Sequence, residues 1–191
     1  MKRNHFYHFV LLILLCLLIP LFTSAQTSQP VIGYVTIQGE KTGQFKGNGI
    51  SEGNEGKIEC IGFRYSVTVP HDAESGKSSG KAQHSPFVII KNVDYSSPQL
   101  LQSSYNNEVL KTVTIEFSKK SSNGSASVFY RVTLTNATIS LISQYGGTAS
   151  SDNNGTLVNN TNLVEEVSLN FQKIEVENIV GNTSAVDDWK K

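Results

Sequence analysis

The sequence predicts a mainly β domain, a single antiparallel β-barrel or two-sheet fold with one short flanking α-helix. Three observations carry this. Apolar and polar residues alternate in one run after another, which is the period of a half-buried strand. In two long runs the alternation slips by one residue midway, as happens where a strand bends around a closed or sharply coiled sheet. One stretch alone shows apolar residues at helical spacing.

The chain opens on a segment of another kind. Lys2 and Arg3 precede an unbroken apolar run at 9–19, followed by Pro20 and the small residues Thr23, Ser24 and Ala25. This reads as a secretory signal peptide over residues 1–25, cut after Ala25. A membrane anchor is the alternative, but the run at 9–22 falls short of the roughly 20 residues a spanning helix needs. Cys16 follows bulky Leu15, whereas a lipidation site wants a small residue there. The expected protein is therefore exported, periplasmic or secreted, with no stable membrane anchor after cleavage. Residues 26–191 then form one domain, long enough to bury a core without disulfide or metal. They carry 14 basic and 16 acidic residues, a net charge of −2, with the signs interspersed. No nucleic-acid footprint is present. Cys60 is the one cysteine beyond the leader, so an internal disulfide is excluded. Its place in an apolar alternation with Ile58 predicts a buried, inert thiol.

Strands are expected at 31–38, at 58–69 up to Pro70, at 86–91 and at 111–118. The last alternates cleanly, with Val113, Ile115 and Phe117 on one face and Thr112, Thr114 and Glu116 on the other. In the run at 127–144 the apolar positions are Val128, Tyr130, Val132 and Leu134, then Ala137, Ile139 and Leu141. In the run at 166–177 they are Val167, Leu169 and Phe171, then Ile174 and Val176. Each slip is either a bulge in one long strand or a break between two shorter ones. A helix is expected at 98–105, with Ser97 as its N-cap, Pro98 at the first position and Asn106-Asn107 at its end. Leu100, Leu101, Tyr105 and Val109 give the helical spacing. Three polar stretches read as loops: an extended one at 39–56 with six glycines, one at 71–84, and one at 144–162.

No catalytic or metal motif stands out. His71, Asp72, His84 and Ser85 lack the setting of a nucleophile and its base, and His71, His84 and Cys60 lack metal-ligand spacing. Glu165-Glu166 and Asp187-Asp188 are carboxylate pairs, but neighbours on a strand point apart, so each reads as a solvated face or chain end. The loop glycines do not have phosphate-binding spacing. Asn-x-Ser/Thr triplets at Asn123, Asn136, Asn154, Asn159 and Asn182 are expected by chance in so much Asn, Ser and Thr. No enzyme activity and no cofactor are expected.

Residues 80–102, from Gly80 through Pro86, Asp94 and Pro98 to Gln102, and the Asn107-Glu108-Val109-Leu110 step into 111–117 resemble the central block of the haemolysin-coregulated protein (Hcp) family. So do Ile37-Gln38-Gly39-Glu40, residues 130–142 with Thr135 to Ser140, residues 165–177 with Gln172-Lys173-Ile174, and Asp187-Asp188-Trp189. The resemblance covers essentially all of 26–191. It implies a small β-barrel with one flanking helix, a structural subunit of the type VI secretion tube. Such subunits form homo-hexameric rings that stack within a contractile sheath and carry effectors in the lumen. Sheath and spike proteins and effector cargo are the implied partners. The 39–56 stretch becomes the inter-ring loop, with Gly39, Glu40, Gln44, Lys46 and Gly49 as expected oligomer contacts. Two features depart from the family pattern: the signal peptide and the long polar stretch at 144–162. They motivate the alternative of an exported Hcp-like binding or effector module that acts outside the cell without forming a tube.

Overall fold

A computed structural model describes residues 30–120, 126–151 and 157–190. The expected signal peptide, with Cys16, lies outside the described residues, as do the triplet asparagines Asn123 and Asn154. In chain order the elements are β1 (Gly33–Gly39), β2 (Ile58–Cys60), β3 (Gly62–Arg64), β4 (Val67–Thr68), β5 (Gln83–His84) and β6 (Phe87–Asn92). Then come α1 (Ser97–Tyr105), β7 (Leu110–Lys120), β8 (Ala126–Ser151), β9 (Leu157–Asn170), β10 (Lys173–Asn178) and β11 (Thr183–Asp188).

Nine strands form one antiparallel sheet in the order β2-β1-β7-β8-β9-β6-β3, with β10 pairing both β8 and β11 off this path. The ladder has two ends, β2 and β3, and these are consecutive pieces of one segment. Cys60 accepts from the Ile32 N–H at 2.8 Å on the β1 side, and the Ile61 N–H donates to Ile90 at 2.9 Å on the β6 side. The segment changes partner at Ile61, so its consecutive pieces lie at opposite ends of the strand order. β2 and β3 do not pair with each other, and the sheet is not closed by hydrogen bonds among the described residues. This divides the single strand expected at 58–69 into three, because each piece answers to a different partner. Val67 and Thr68 leave the sheet altogether and pair with β5.

The inward parity follows the sequence pattern. Val113, Ile115 and Phe117 are buried, as are Val35, Ile37, Ile58, Cys60, Leu134, Val167, Leu169 and Ile174. The two slips resolve differently. β8 runs through Asn136 as one strand, with that residue in the left-handed region at φ 48°. Opposite it the chain breaks at Phe171 and Gln172, between β9 and β10. The irregularities face each other. Thr135 lies opposite Lys173 and Thr138 opposite Asn170, so register is kept across the bend. The Asn136 side-chain amide donates to Gln172 Oε1 at 2.9 Å, and the Gln172 N–H donates to Thr135 at 3.1 Å.

A further shift between Ile139 and Leu141 reverses the face once more. Leu141 is therefore 57% exposed, against the inward position its parity suggested, and Ile142 packs on the core instead. The polar stretch at 144–162 is not simply a loop. β8 extends to Ser151 and β9 begins at Leu157, with register shifts along the way. Backbone pairing requires no apolar side chains, so composition alone concealed these arms.

The helix starts one residue early and is capped differently from expectation. Ser96 is the N-cap, with helical backbone and no side-chain cap bond. The Ser97 hydroxyl is used elsewhere, donating to Glu165 Oε1 at 2.6 Å. Asp94 holds the helix start by accepting from the Ser96 N–H at 2.8 Å and its hydroxyl at 2.6 Å. Lys91 sits between the two carboxylates, 2.7 Å from Asp94 Oδ1 and 2.7 Å from Glu165 Oε1. All three charged side chains are almost wholly buried. The helix buries Ser97, Leu100 and Ser103, whereas Tyr105 points out to solvent and Val109 lies past its end.

Removing one charge of this cluster leaves the others buried and unpaired. Lys91→Met is expected to cost about 3–5 kcal/mol of unfolding free energy in a urea titration. Replacing Lys91, Asp94 and Glu165 together by apolar or amide residues of similar volume should recover much of that loss.

Candidate functional site

The 39–56 loop projects from the end of β1 and returns into β2. Its two arms are zipped by backbone hydrogen bonds. Gly47 donates to Gly56 at 2.8 Å, Gly49 to Lys57 at 2.9 Å, and Gly56 back to Gly49 at 2.9 Å. A Cβ on Gly47 would lie 2.3 Å from the Lys57 carbonyl oxygen, so the arms can approach this closely only without a side chain there. Phe45 anchors the near arm in the core. The tip carries Ile50, 88% exposed, and is tied back by the Tyr34 hydroxyl donating to Ser51 Oγ at 2.8 Å.

Two side chains from the α1 region hold the loop. The Gln99 amide pairs with the Lys46 backbone, accepting from its N–H at 3.2 Å and donating to its carbonyl at 3.3 Å. The Glu108 carboxylate accepts from the N–H groups of Lys41 and Thr42 and from the Thr42 hydroxyl, each at 2.7 Å. Burial alone would push this carboxyl up, but the Thr42 N–H, the Thr42 hydroxyl and the Lys41 N–H outweigh it and hold it below the usual carboxylate range. Between loop and helix lies a groove of about 680 Å³, walled by Phe45, Lys46, Glu55, Gln99 and the 74%-exposed Tyr95.

Of the five expected oligomer contacts, Glu40, Gln44 and Lys46 are exposed. Gly39 and Gly49 are buried in the loop's own packing. The solvent face of β1-β7-β8-β10 is polar in register: Tyr34, Glu116, Arg131 and Glu177 form one row, and Thr36, Thr114, Thr133 and Glu175 the next. Glu116 bridges Lys57 at 3.0 Å and Arg131 at 3.0 Å, and Arg131 reaches Glu177 at 3.2 Å. Among the described strands, β11 pairs only with β10, so its other side is a sheet edge. Val186 and Trp189 are exposed along it.

A family described as "Type VI secretion system effector, Hcp" matches residues 34–177 of this chain. The "Major exported protein" of Pseudomonas aeruginosa is 31% identical over 166 residues, covering 82% of this chain and 94% of the relative. This chain is a member of the Hcp family. The fold agrees with solved Hcp structures. The secreted protein Hcp3 from Pseudomonas aeruginosa superposes with TM-score 0.65 at 28% identity, over 82% of this chain and 99% of that one. The Hcp1 protein of E. coli EAEC 042 gives TM-score 0.71 at 23% identity, over 84% of this chain and 99% of the other. Membership sets the chain among structural, secreted proteins of the type VI secretion system and not among enzymes.

The remaining candidate residues of this Hcp chain take structural places. Ser85 Oγ accepts from the Ser66 N–H at 2.9 Å and donates to the Pro86 carbonyl at 3.3 Å. His71 and Asp72 lie in an exposed turn, where Asp72 accepts from the Ser75 N–H at 2.7 Å. His84 sits between the Tyr65 hydroxyl at 2.5 Å and Asp187 Oδ2 at 2.8 Å, and its ring packs against Trp189 and Phe171. It ties β5 to the C-terminal strand β11. Among the described residues no cluster of His, Cys, Asp and Glu could hold a metal. Burial pushes the Cys60 thiol up to about 11, in keeping with an inert group.

Glu165 and Glu166 do point apart, but the expected solvated face holds for only one of them. Glu165 is fully buried, while Glu166 is bound by the Arg64 guanidinium and the Tyr145 hydroxyl. Asp188 accepts from the Gln172 side chain and the Lys190 N–H. Of the triplet asparagines, Asn136 is committed to the bend and Asn182 occupies the tight turn of the β10–β11 hairpin at φ 49°. Sequence reasoning missed Gln99, Glu108 and Tyr95.

Glu116 gives a pH signature. Burial would raise its carboxyl, but hydrogen bonds and charge from Lys57 and Arg131 hold it below its ordinary value of 4.5. A depressed folded value contributes stability that is present above the unfolded value and lost as pH falls through the folded one. The free energy of unfolding should thus decline as pH is lowered below about 4.5, and Glu116→Gln should make that decline shallower in urea titrations at stepped pH.

Proposed function

We propose that this Hcp protein is the structural subunit of a type VI secretion tube, forming homo-hexameric rings that stack and carry effectors. The observation that carries the reading is the 39–56 loop, ordered by its own chain and ending in an exposed Ile50. A loop fixed before its partner arrives loses little conformational entropy on docking. In this reading the loop contacts the next ring through Glu40, Gln44 and Lys46, with Ile50 at its tip. Gly39 and Gly49 shape it from within. The β11 edge, with Val186 and Trp189, supplies a lateral contact between neighbours. Head-to-tail contacts of this kind close into rings. Sheath, spike and effector proteins are the proposed partners.

The apolar run at 9–19 and the small residues at 23–25 favour a second reading. There the mature chain, 26–191, is exported through its leader and acts outside the cell as a binding or effector module. The name of the Pseudomonas aeruginosa relative, "Major exported protein", suits export by either route.

Two measurements decide between them. Native mass spectrometry of residues 26–191 at high micromolar concentration should show hexamers, and a strict monomer sinks the tube reading. In that preparation Ile50→Asp should leave hexamers intact and abolish stacked tubes in electron micrographs. Export that continues unchanged in a strain without the contractile machinery, with Gln26 as the first residue, establishes the second reading in place of the first.

A further inference from the structure

We infer that Glu108 is the positioning residue of the 39–56 loop: its buried carboxylate is the template that sets the direction in which the loop leaves the barrel toward the next copy. The inference rests on the ring-stacking reading and names the group that makes stacking possible.

Glu108 is 3% exposed, and among the described residues no cation pairs with it. A buried carboxylate without a cation is costly, and it persists where hydrogen bonds replace its hydration. Here those bonds come from Lys41 and Thr42, at the root of the loop. Two successive N–H groups converging on one oxygen form an anion-binding concavity in the backbone, and Glu108 fills it. The fit is tight on the other side too, since a Cβ on Gly39 would lie 2.5 Å from Glu108 Oε1. The Glu40 N–H bonds the Val109 carbonyl at 2.9 Å, tying the next residue to the same place.

The carboxylate is itself placed by the end of α1. Asn107 takes the left-handed conformation at φ 47°, and the Glu108 N–H caps the helix by donating to Ser103 at 3.0 Å. Gln99, two turns earlier, holds Lys46. One helix therefore fixes the loop at two points, 41–42 and 46, and leaves residues 50–54 to project. A purely core role would join Glu108 to strands of the barrel. Beyond the Ser103 hydroxyl of α1, its side-chain bonds go instead to the loop, whose only external duty in this reading is contact with another copy.

The test uses residues 26–191 and two readouts. Hydrogen exchange follows the amides of 40–46 against those of 113–117 in β7, and electron microscopy with light scattering gives the concentration at half-assembly of stacked tubes. Glu108→Ala should speed exchange at 40–46 at least tenfold and leave 113–117 unchanged. It should raise the half-assembly concentration about tenfold, or 1.4 kcal/mol. Glu108→Gln, which keeps an oxygen for the two N–H groups, should restore most of both. Unchanged exchange at 40–46 in Glu108→Ala overturns the inference. So does faster exchange with an unchanged half-assembly concentration. If Glu108→Ala does not fold, Thr42→Val and Gln99→Ala decide through the same readouts, with smaller shifts in the same direction expected and none counting against it. A wild-type chain that forms hexamers but never stacks removes the role in stacking, while the exchange arm still reports whether Glu108 orders the loop. A chain that forms no rings refutes the tube reading itself.

Discussion

The contact between Lys91 and Glu165 inside the protein governs more of this structure than any other. Lys91 stands on β6 and Glu165 on β9, directly across from each other in the ladder. The same ammonium takes in Asp94, which holds the first turn of the helix, and Ser97, the first helical residue, bonds Glu165. One buried charge cluster thus fastens two strands to the start of α1. Everything at the far end of that helix depends on where its start is held. Its end places Glu108, its middle presents Gln99, and the loop at 39–56 takes its course from both. Burying such a cluster contributes little net stability compared with apolar packing of the same volume. Its bonds join β6, β9 and the first turn of α1 at one point.

The loop inverts an ordinary compositional rule. Six glycines and few apolar side chains point to a segment that cannot offset its ordering entropy by burial. Order is reached by hydrogen bonding instead. The arms at 47–49 and 56–57 pair through their backbones, and two side chains from outside hold the root and the near arm. Phe45 adds a single apolar anchor. The glycines serve close approach, and flexibility is not their main effect. Polar rows mark the solvent face of β1-β7-β8-β10, while large exposed apolar side chains are spread over several places. Among them are Ile50 at the loop tip, Tyr95 and Tyr105 beside α1, Val67 and Val69 around β4, Leu163 on β9, and Val180, Val186 and Trp189 in the C-terminal hairpin.

Much of this was legible in the sequence, and the limits have physical reasons. Alternation gave the faces of β1 and β7 because one side is core and the other water. The parity slips at Asn136 and Gln172 marked a real bend, but periodicity could not say that one strand continues through it while the other breaks. The split of 58–69 was hidden because partner exchange at Ile61 does not disturb the apolar pattern. Ser97 looked like a cap since its type suits one, yet a buried carboxylate 68 positions away claimed its hydroxyl. Lys91 and Glu165 were visible as opposite charges at inward parity on two strands, a sign that only pairing knowledge turns into a contact. Glu108 belongs to the same class: its three acceptor bonds run to residues more than 60 positions upstream, beyond the reach of any local rule.

The matched irregularities at Asn136 and Gln172 bear on how such a chain can change over generations. Register on both sides of the bend survives because the two strands deviate at the same level of the ladder. Deleting or inserting a single residue near either site would shift one strand against its partner and turn an entire buried stripe to the outside. A change of length in this part of the sheet therefore has to be compensated in the facing strands at once.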